Sequence, residues 1–243
     1  MAPRCWSHLV APAVLAILLS ACASSPQLSA PQPVVPLIQA TPEAQQTLFP
    51  PQIIYSSNLS FFSRWTGVES RFAMQQQSGA CVTAADGTCA EVQWDAFIDD
   101  LKSRPLVDRV EHANEYLNAI HYVPATENWG SPAYWETPFE FLARGGQCQD
   151  YAISKYLALK ASGVPDQDLR VAVVHDLQSN EDHAILIVTI NGQDFVLDNQ
   201  TTTVDPLQDV TRYSAYYAIN DTGWWAYFDP SRRFVGTQVA AIR

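Results

Sequence analysis

The spacing of apolar positions divides this chain in two: helical intervals before residue 165, and runs of β-branched residues after it. Trp94, Phe97, Ile98 and Leu101 form the apolar stripe of one helix, and Val107, Val110, Asn114, Leu117 and Ile120 mark a second. A third is signposted at both ends, with Thr137 as N-cap, Pro138 first, Glu140 three after the cap and Gly145 as the stop. A fourth starts near Gln147 and ends at Ser162-Gly163, with Pro165 beyond; its Cys148, Ala152, Tyr156 and Leu159 share one side. Strands are expected at 169–175, 183–190, 193–199 and about 225–229. The pattern predicts an α+β fold in which N-terminal helices precede an antiparallel β-sheet, with the fourth helix packed on it.

The clearest long-range expectation comes from one turn. Asn191-Gly192 between two β-rich runs is a strong two-residue hairpin signal. If those are the turn residues, Ile190 faces Gln193, Ile185 faces Asp198, and His183 lies opposite Gln200. Asp198 then shares a face with His183, one diagonal step away, at roughly 7–8 Å between backbones. A slip of one residue would place the two on opposite faces.

Candidate chemistry enters at Gly145-Gly146-Gln147-Cys148. Two glycines deliver the cysteine to a helix start, where unpaired N–H groups and the helix dipole favour thiolate over thiol. Cys148, then His183, then Asp198 gives the order nucleophile, base and orienter. Singly, each has an ordinary alternative: a small buried residue, a satisfied strand histidine, an acid capping the next turn. Their order and shared face favour catalysis. His175, at a strand end before an acidic loop, is the rival base and is expected at the surface. Of the aromatics Trp129, Tyr134, Trp135, Tyr216, Tyr217, Trp224 and Trp225, at most two are expected to line a cleft; Gly223 reads as the start of a loop.

The stretch 137–153 around the cysteine, with Asp182-His183-Ala184 and Val196-Leu197-Asp198, resembles the bacterial transglutaminase-like cysteine proteases, periplasmic enzymes that release biofilm adhesins. The likeness runs from about Trp94 to about Trp225, including Glu127-Asn128-Trp129-Gly130. It implies a papain- or transglutaminase-like core, a Cys148–His183–Asp198 triad, and cleavage of the N-terminal region of a large secreted adhesin at a small-residue site. It also implies sequestration of the enzyme by a cyclic-di-GMP-responsive inner-membrane receptor. In that family acids flanking the cysteine help bind calcium. Here Gln147 and Gln149 stand there and only Asp150 is acidic, so the expected calcium site is weaker, because affinity rises with the number of carboxylates. Two other readings remain: an acyltransferase or peptidoglycan stem-peptide hydrolase using the same triad, and a non-catalytic lipoprotein that binds a partner.

The N-terminus sets the expected compartment. Arg4 precedes an apolar stretch over 9–19, shorter than the roughly 20 residues that cross a bilayer, and Leu19-Ser20-Ala21-Cys22 looks like a lipobox. The expected organisation is a signal peptide at 1–21, a lipidated Cys22 with a Pro-rich linker at 22–51, and one domain at 52–243. Ala23-Ser24 lacks an inner-membrane retention aspartate, so the outer membrane is the expected anchor. Cys5 leaves with the signal, and Cys81 and Cys89 flank a turn-rich loop suited to a disulfide in an oxidising compartment. Cys148 is the cysteine that this sorting leaves for catalysis. A net charge of −11 argues against nucleic acid and against direct adsorption on anionic lipid.

Overall fold

The computed structural model describes residues 52–228. The expected signal, Cys22 and the expected linker to residue 51 lie outside the described residues, as do residues 229–243. In chain order the elements are β1 (Gln52–Ser56), α1 (Ser63–Ser78), α2 (Ala90–Ser103), α3 (Leu106–Asn118), α4 (Ala125–Trp129), α5 (Pro138–Arg144) and α6 (Cys148–Ala161). There follow β2 (Leu169–Asp176), β3 (Glu181–Ile190), β4 (Gln193–Leu197), β5 (Val204–Pro206), β6 (Tyr213–Asn220) and β7 (Gly223–Phe228). The strands form one antiparallel sheet in the order β1-β7-β6-β2-β3-β4-β5. No helix among the described residues is long and apolar enough to cross a membrane.

The expected α+β plan is present, with β1 as an addition: it sits at the far edge against β7 and breaks the helices-then-strands order. Helix α6 is the centre of the packing. Twelve of its fourteen residues, from Cys148 to Leu159, are buried, which marks a helix enclosed on all sides rather than laid on a surface. One side packs on β3 and β2, and α3 and α5 cover the other. Leu186, Val188 and Leu197 belong to the core shared with the helices, whereas Ile185, Ile187, Val196 and Tyr213 pack on the opposite sheet face. Alternate residues of β3 therefore serve two apolar layers, which explains its near-continuous apolar run.

The turn sets the register as its residues require. Asn191 and Gly192 both have positive φ, Ile190 pairs with Gln193, and Leu186 pairs with Leu197. The return strand ends at Leu197 rather than at 199, because the Asp198 carboxylate accepts the Gln200 N–H at 2.9 Å and turns the chain out of the ladder. The loop expected after Gly223 is also corrected. Gly223 pairs with Asn220, Trp224 with Ile219 and Trp225 with Ala218, so the tryptophans lie in β7. Glycine is needed there because a Cβ would come within 2.6 Å of the Tyr55 ring and 2.7 Å of the Ser56 carbonyl. A disulfide joins Cys81 to Cys89, next to the start of α2.

Candidate active site

The two glycines before Cys148 are there for lack of room. Gly145 has φ +74°, and a Cβ on it would lie 2.3 Å from the His121 carbonyl; on Gly146 it would lie 2.9 Å from the Asp150 side chain. The Gly146 carbonyl accepts the Val123 N–H at 2.9 Å, which pins the run before the nucleophile. Cys148 is then the first residue of α6, with Gln147 as its N-cap, and is 4% exposed. At that position unpaired amides and the helix dipole favour a thiolate.

His183 reaches the same cleft from the start of β3. Cys148, Gln149, His183 and Ala184 line it, with Trp135 and Tyr217 as its aromatic members and Arg64 and Asp182 as its charged ones. Two of the seven singled-out aromatics thus line the cleft. His175 does not: it is held by Asp182 at 3.3 Å and Asn180 at 3.2 Å.

Behind His183 stands Asp198, 2% exposed, with Oδ1 at 2.8 Å from His183 Nε2. Burial raises the Asp198 pKa. The hydrogen bond and charge of His183, then Tyr213 and the Gln200 N–H, outweigh it and bring the value down to about 2. An ionised Asp198 assigns the proton to Nε2 and leaves Nδ1 as the basic nitrogen. Gln200 Nε2 lies 3.4 Å from that Nδ1.

Several residues that hold this pair were not singled out in the sequence. Tyr213 donates to Asp198 Oδ2 from the start of β6. Asn118, at the end of α3, donates to the Asp198 and Thr201 carbonyls, each at 2.8 Å. Arg212 binds Gln200 Oε1 at 2.9 Å and ion-pairs with buried Asp176. Lys155, 1% exposed on α6, donates to Asn114 Oδ1 at 2.8 Å; burial lowers its pKa to about 7, against the opposing charge of Asp198. Only Asn114 lay in a recognisable stripe, and there it read as an apolar-face position.

Gln147, Gln149 and Asp150 do come together, but with their oxygens occupied. Asp150 Oδ1 accepts the Glu136 N–H at 2.8 Å, and Oδ2 accepts the Gln147 N–H at 2.9 Å and Gln149 Nε2 at 3.3 Å. Gln147 Oε1 accepts the Ala125 N–H at 3.3 Å, and Gln149 Oε1 faces Cys148 Sγ at 3.6 Å. Calcium takes about six to eight oxygens with free lone pairs. One carboxylate already holding three N–H groups and two amides turned elsewhere do not fit it. Among the described residues no group of three or more His, Cys, Asp or Glu is disposed to hold a metal ion.

A family model described as bacterial transglutaminase-like cysteine proteinase matches residues 79–233. Among solved structures, LapG from Legionella pneumophila is 28% identical, over 72% of this chain and 95% of its own, with a TM-score of 0.53. Its calcium-bound form is 26% identical, over 72% and 96%, with a TM-score of 0.53; its EGTA-treated form is 28% identical, over 72% and 95%, with a TM-score of 0.54. No curated protein matches the chain significantly. The match over most of the described residues, with a cysteine opening a buried helix beside a His–Asp pair, makes this chain a cysteine peptidase that belongs to the bacterial transglutaminase-like cysteine proteinase family.

Proposed function

We propose that this chain is a lipid-anchored periplasmic endopeptidase that acts through Cys148, His183 and Asp198 on the N-terminal region of a large surface adhesin. The observation that carries the catalytic part is the 2.8 Å His183–Asp198 hydrogen bond at the edge of the cleft that Cys148 lines. His183 Nδ1 takes the Cys148 proton, and Sγ attacks a peptide carbonyl carbon. The carbonyl π electrons move to oxygen, where the Cys148 N–H at the start of α6 is the expected donor. The imidazolium then protonates the leaving amine as the C–N bond breaks and the thioester remains. A water molecule, deprotonated by His183, attacks that thioester, and the Cys148 sulfur leaves. Asp198 keeps the imidazole in one tautomer and offsets its positive charge throughout.

The cleft supports the small-residue specificity. It is narrow, about 60 Å³, and has Trp135 and Tyr217 among its lining, so bulky side chains next to the scissile bond are disfavoured. The lipobox ending at Cys22 supports the anchor, and the family supports the adhesin and a cyclic-di-GMP-responsive receptor as controlling partner. Two strains of the source bacterium, carrying the wild-type chain or Cys148→Ala, test the reading by comparing protein N-termini at the surface and in the medium. A new N-terminus within one large surface protein, present only with wild type, is the expected result. An isopeptide product instead would mean acyl transfer, and identical N-termini would overturn the reading.

A further inference from the structure

The buried carboxylates beside Cys148 pose a charge problem that the catalytic reading leaves unanswered. Glu136 and Asp150 both have zero exposure. Glu136, in the segment before α5, lends its N–H to Asp150 Oδ1, while its own Oε1 accepts Asn128 Nδ2 at 3.0 Å and Trp129 Nε1 at 2.6 Å. Two adjacent buried carboxylates cannot both stay ionised without a cation between them. Three of the four oxygens accept N–H groups; Glu136 Oε2 is buried and accepts none. It is the oxygen left to carry a proton.

We infer that in this chain a metal-free brace, neutral Glu136 against ionised Asp150, fixes the start of the nucleophile helix and makes it independent of calcium. Asp150 ties Gln147, the N-cap of α6, to the backbone of Glu136, and Glu136 ties both to Asn128 and Trp129 at the end of α4. The two glutamines belong to the same arrangement. Acids at 147 and 149 would bring four carboxylates to one buried spot and demand a divalent ion. An amide at 149 instead donates to Asp150 Oδ2, so one proton balances the site. Burial pushes both acids upward, Glu136 to about 7 against the hydrogen bonds of Trp129 and Asn128, and Asp150 with the added charge of Glu136. Glu140 and Arg144 on α5, with Tyr122 and Tyr151 nearby, are the other titratable groups facing them. Glu136 and Asp150 are positioning residues: they touch no substrate and act through the placement of Cys148.

The test uses the full mature chain, reduced, with three readouts. These are melting temperature in millimolar calcium and in EGTA, terbium luminescence excited through Trp129, and the alkylation rate of Cys148 against pH. The expected result is the same melting temperature and alkylation profile with calcium and with chelator, and no saturable terbium signal. Glu136→Gln, an amide standing in for a neutral acid, keeps the alkylation rate. Glu136→Ala lowers it on the order of tenfold or more through misplacement of the sulfur. Saturable stabilisation by calcium, abolished in Glu136→Gln, would overturn the inference and make the pair a metal site. An unchanged rate in Glu136→Ala would overturn the positioning role. Calcium and terbium binding are read without any substrate, so their result is distinct from the fate of the adhesin reading.

Discussion

Tyr213→Phe removes one oxygen from the back of the catalytic pair and little else. The ring stays, with its centroid 5.5 Å from that of His183, so packing in the 2%-exposed pocket is preserved. Asp198 keeps two of its three donors, His183 Nε2–H and the Gln200 N–H. A hydrogen bond to a buried charge contributes about 1.5–3 kcal/mol, and that is the expected loss at neutral pH. The pH dependence follows from the sign of the shift. The Asp198 pKa falls from 3.8 unfolded to about 2 folded, so its contribution is present above pH 3.8 and lost as pH falls through 2. Without Tyr213 the folded value rises towards 3.8, and the acid-unfolding midpoint moves to higher pH. Urea unfolding of wild type and variant across the acid range is the assay. The stability difference should be largest near neutrality and shrink as Asp198 protonates. A difference of the same size at every pH would refute the reasoning, since only ring packing would then have changed. So would no difference at all.

Further outcomes follow from the same network. Asp198→Asn leaves the imidazole in place but frees its tautomer; peptidase turnover should drop on the order of 10⁴-fold, and alkylation of reduced Cys148 below pH 7 should slow. Asn118→Ala removes two hydrogen bonds to the 198–201 turn and should cost about 1–3 kcal/mol in urea unfolding, with a larger effect on kcat than on KM. Lys155 is held near pKa 7 against 10.5 unfolded, so between those values the unfolded chain binds the extra proton and stability rises with pH. Lys155→Met should abolish that rise in unfolding curves taken at pH ~6 and ~9. Burial, opposed by the charge of Lys160, raises Glu69 from 4.5 to about 7. Its contribution is full below pH 4.5 and gone above 7, and Glu69→Gln should flatten the thermal-stability profile over that window.

What the sequence made legible was whatever is decided within a few residues. The Asn191-Gly192 turn forces positive φ at both positions, and that local fact sets a pairing from which Asp198 falls beside His183 fifteen residues away. The Thr137–Glu140 capping box and the glycine pair before Cys148 likewise carry their geometry in their own spacing. Residues that depend on distant contacts gave no such sign. Tyr213 starts a strand that reaches β2 only after the chain has passed through β3, β4 and β5, and nothing around it distinguishes a tyrosine aimed at a carboxylate from one in a core. Asn118 looks like an ordinary polar helix end until the 198–201 turn is folded over it.

Glu136 shows what a local reading leaves out. The expectation of a weakened calcium site rested on Gln147, Gln149 and Asp150, the positions beside the cysteine to which the family resemblance points. In the fold the Asp150 carboxylate points away from solvent into the backbone of residue 136, so the acid that completes its surroundings lies fourteen positions upstream. Whether a carboxylate holds a cation or a proton is decided by the other charges that share its cavity and by how many N–H groups already occupy its lone pairs. Neither quantity is local. With amides at 147 and 149 the cavity holds two carboxylates, Glu136 and Asp150. Three N–H groups already face the charge of Asp150, and one proton on Glu136 removes the other.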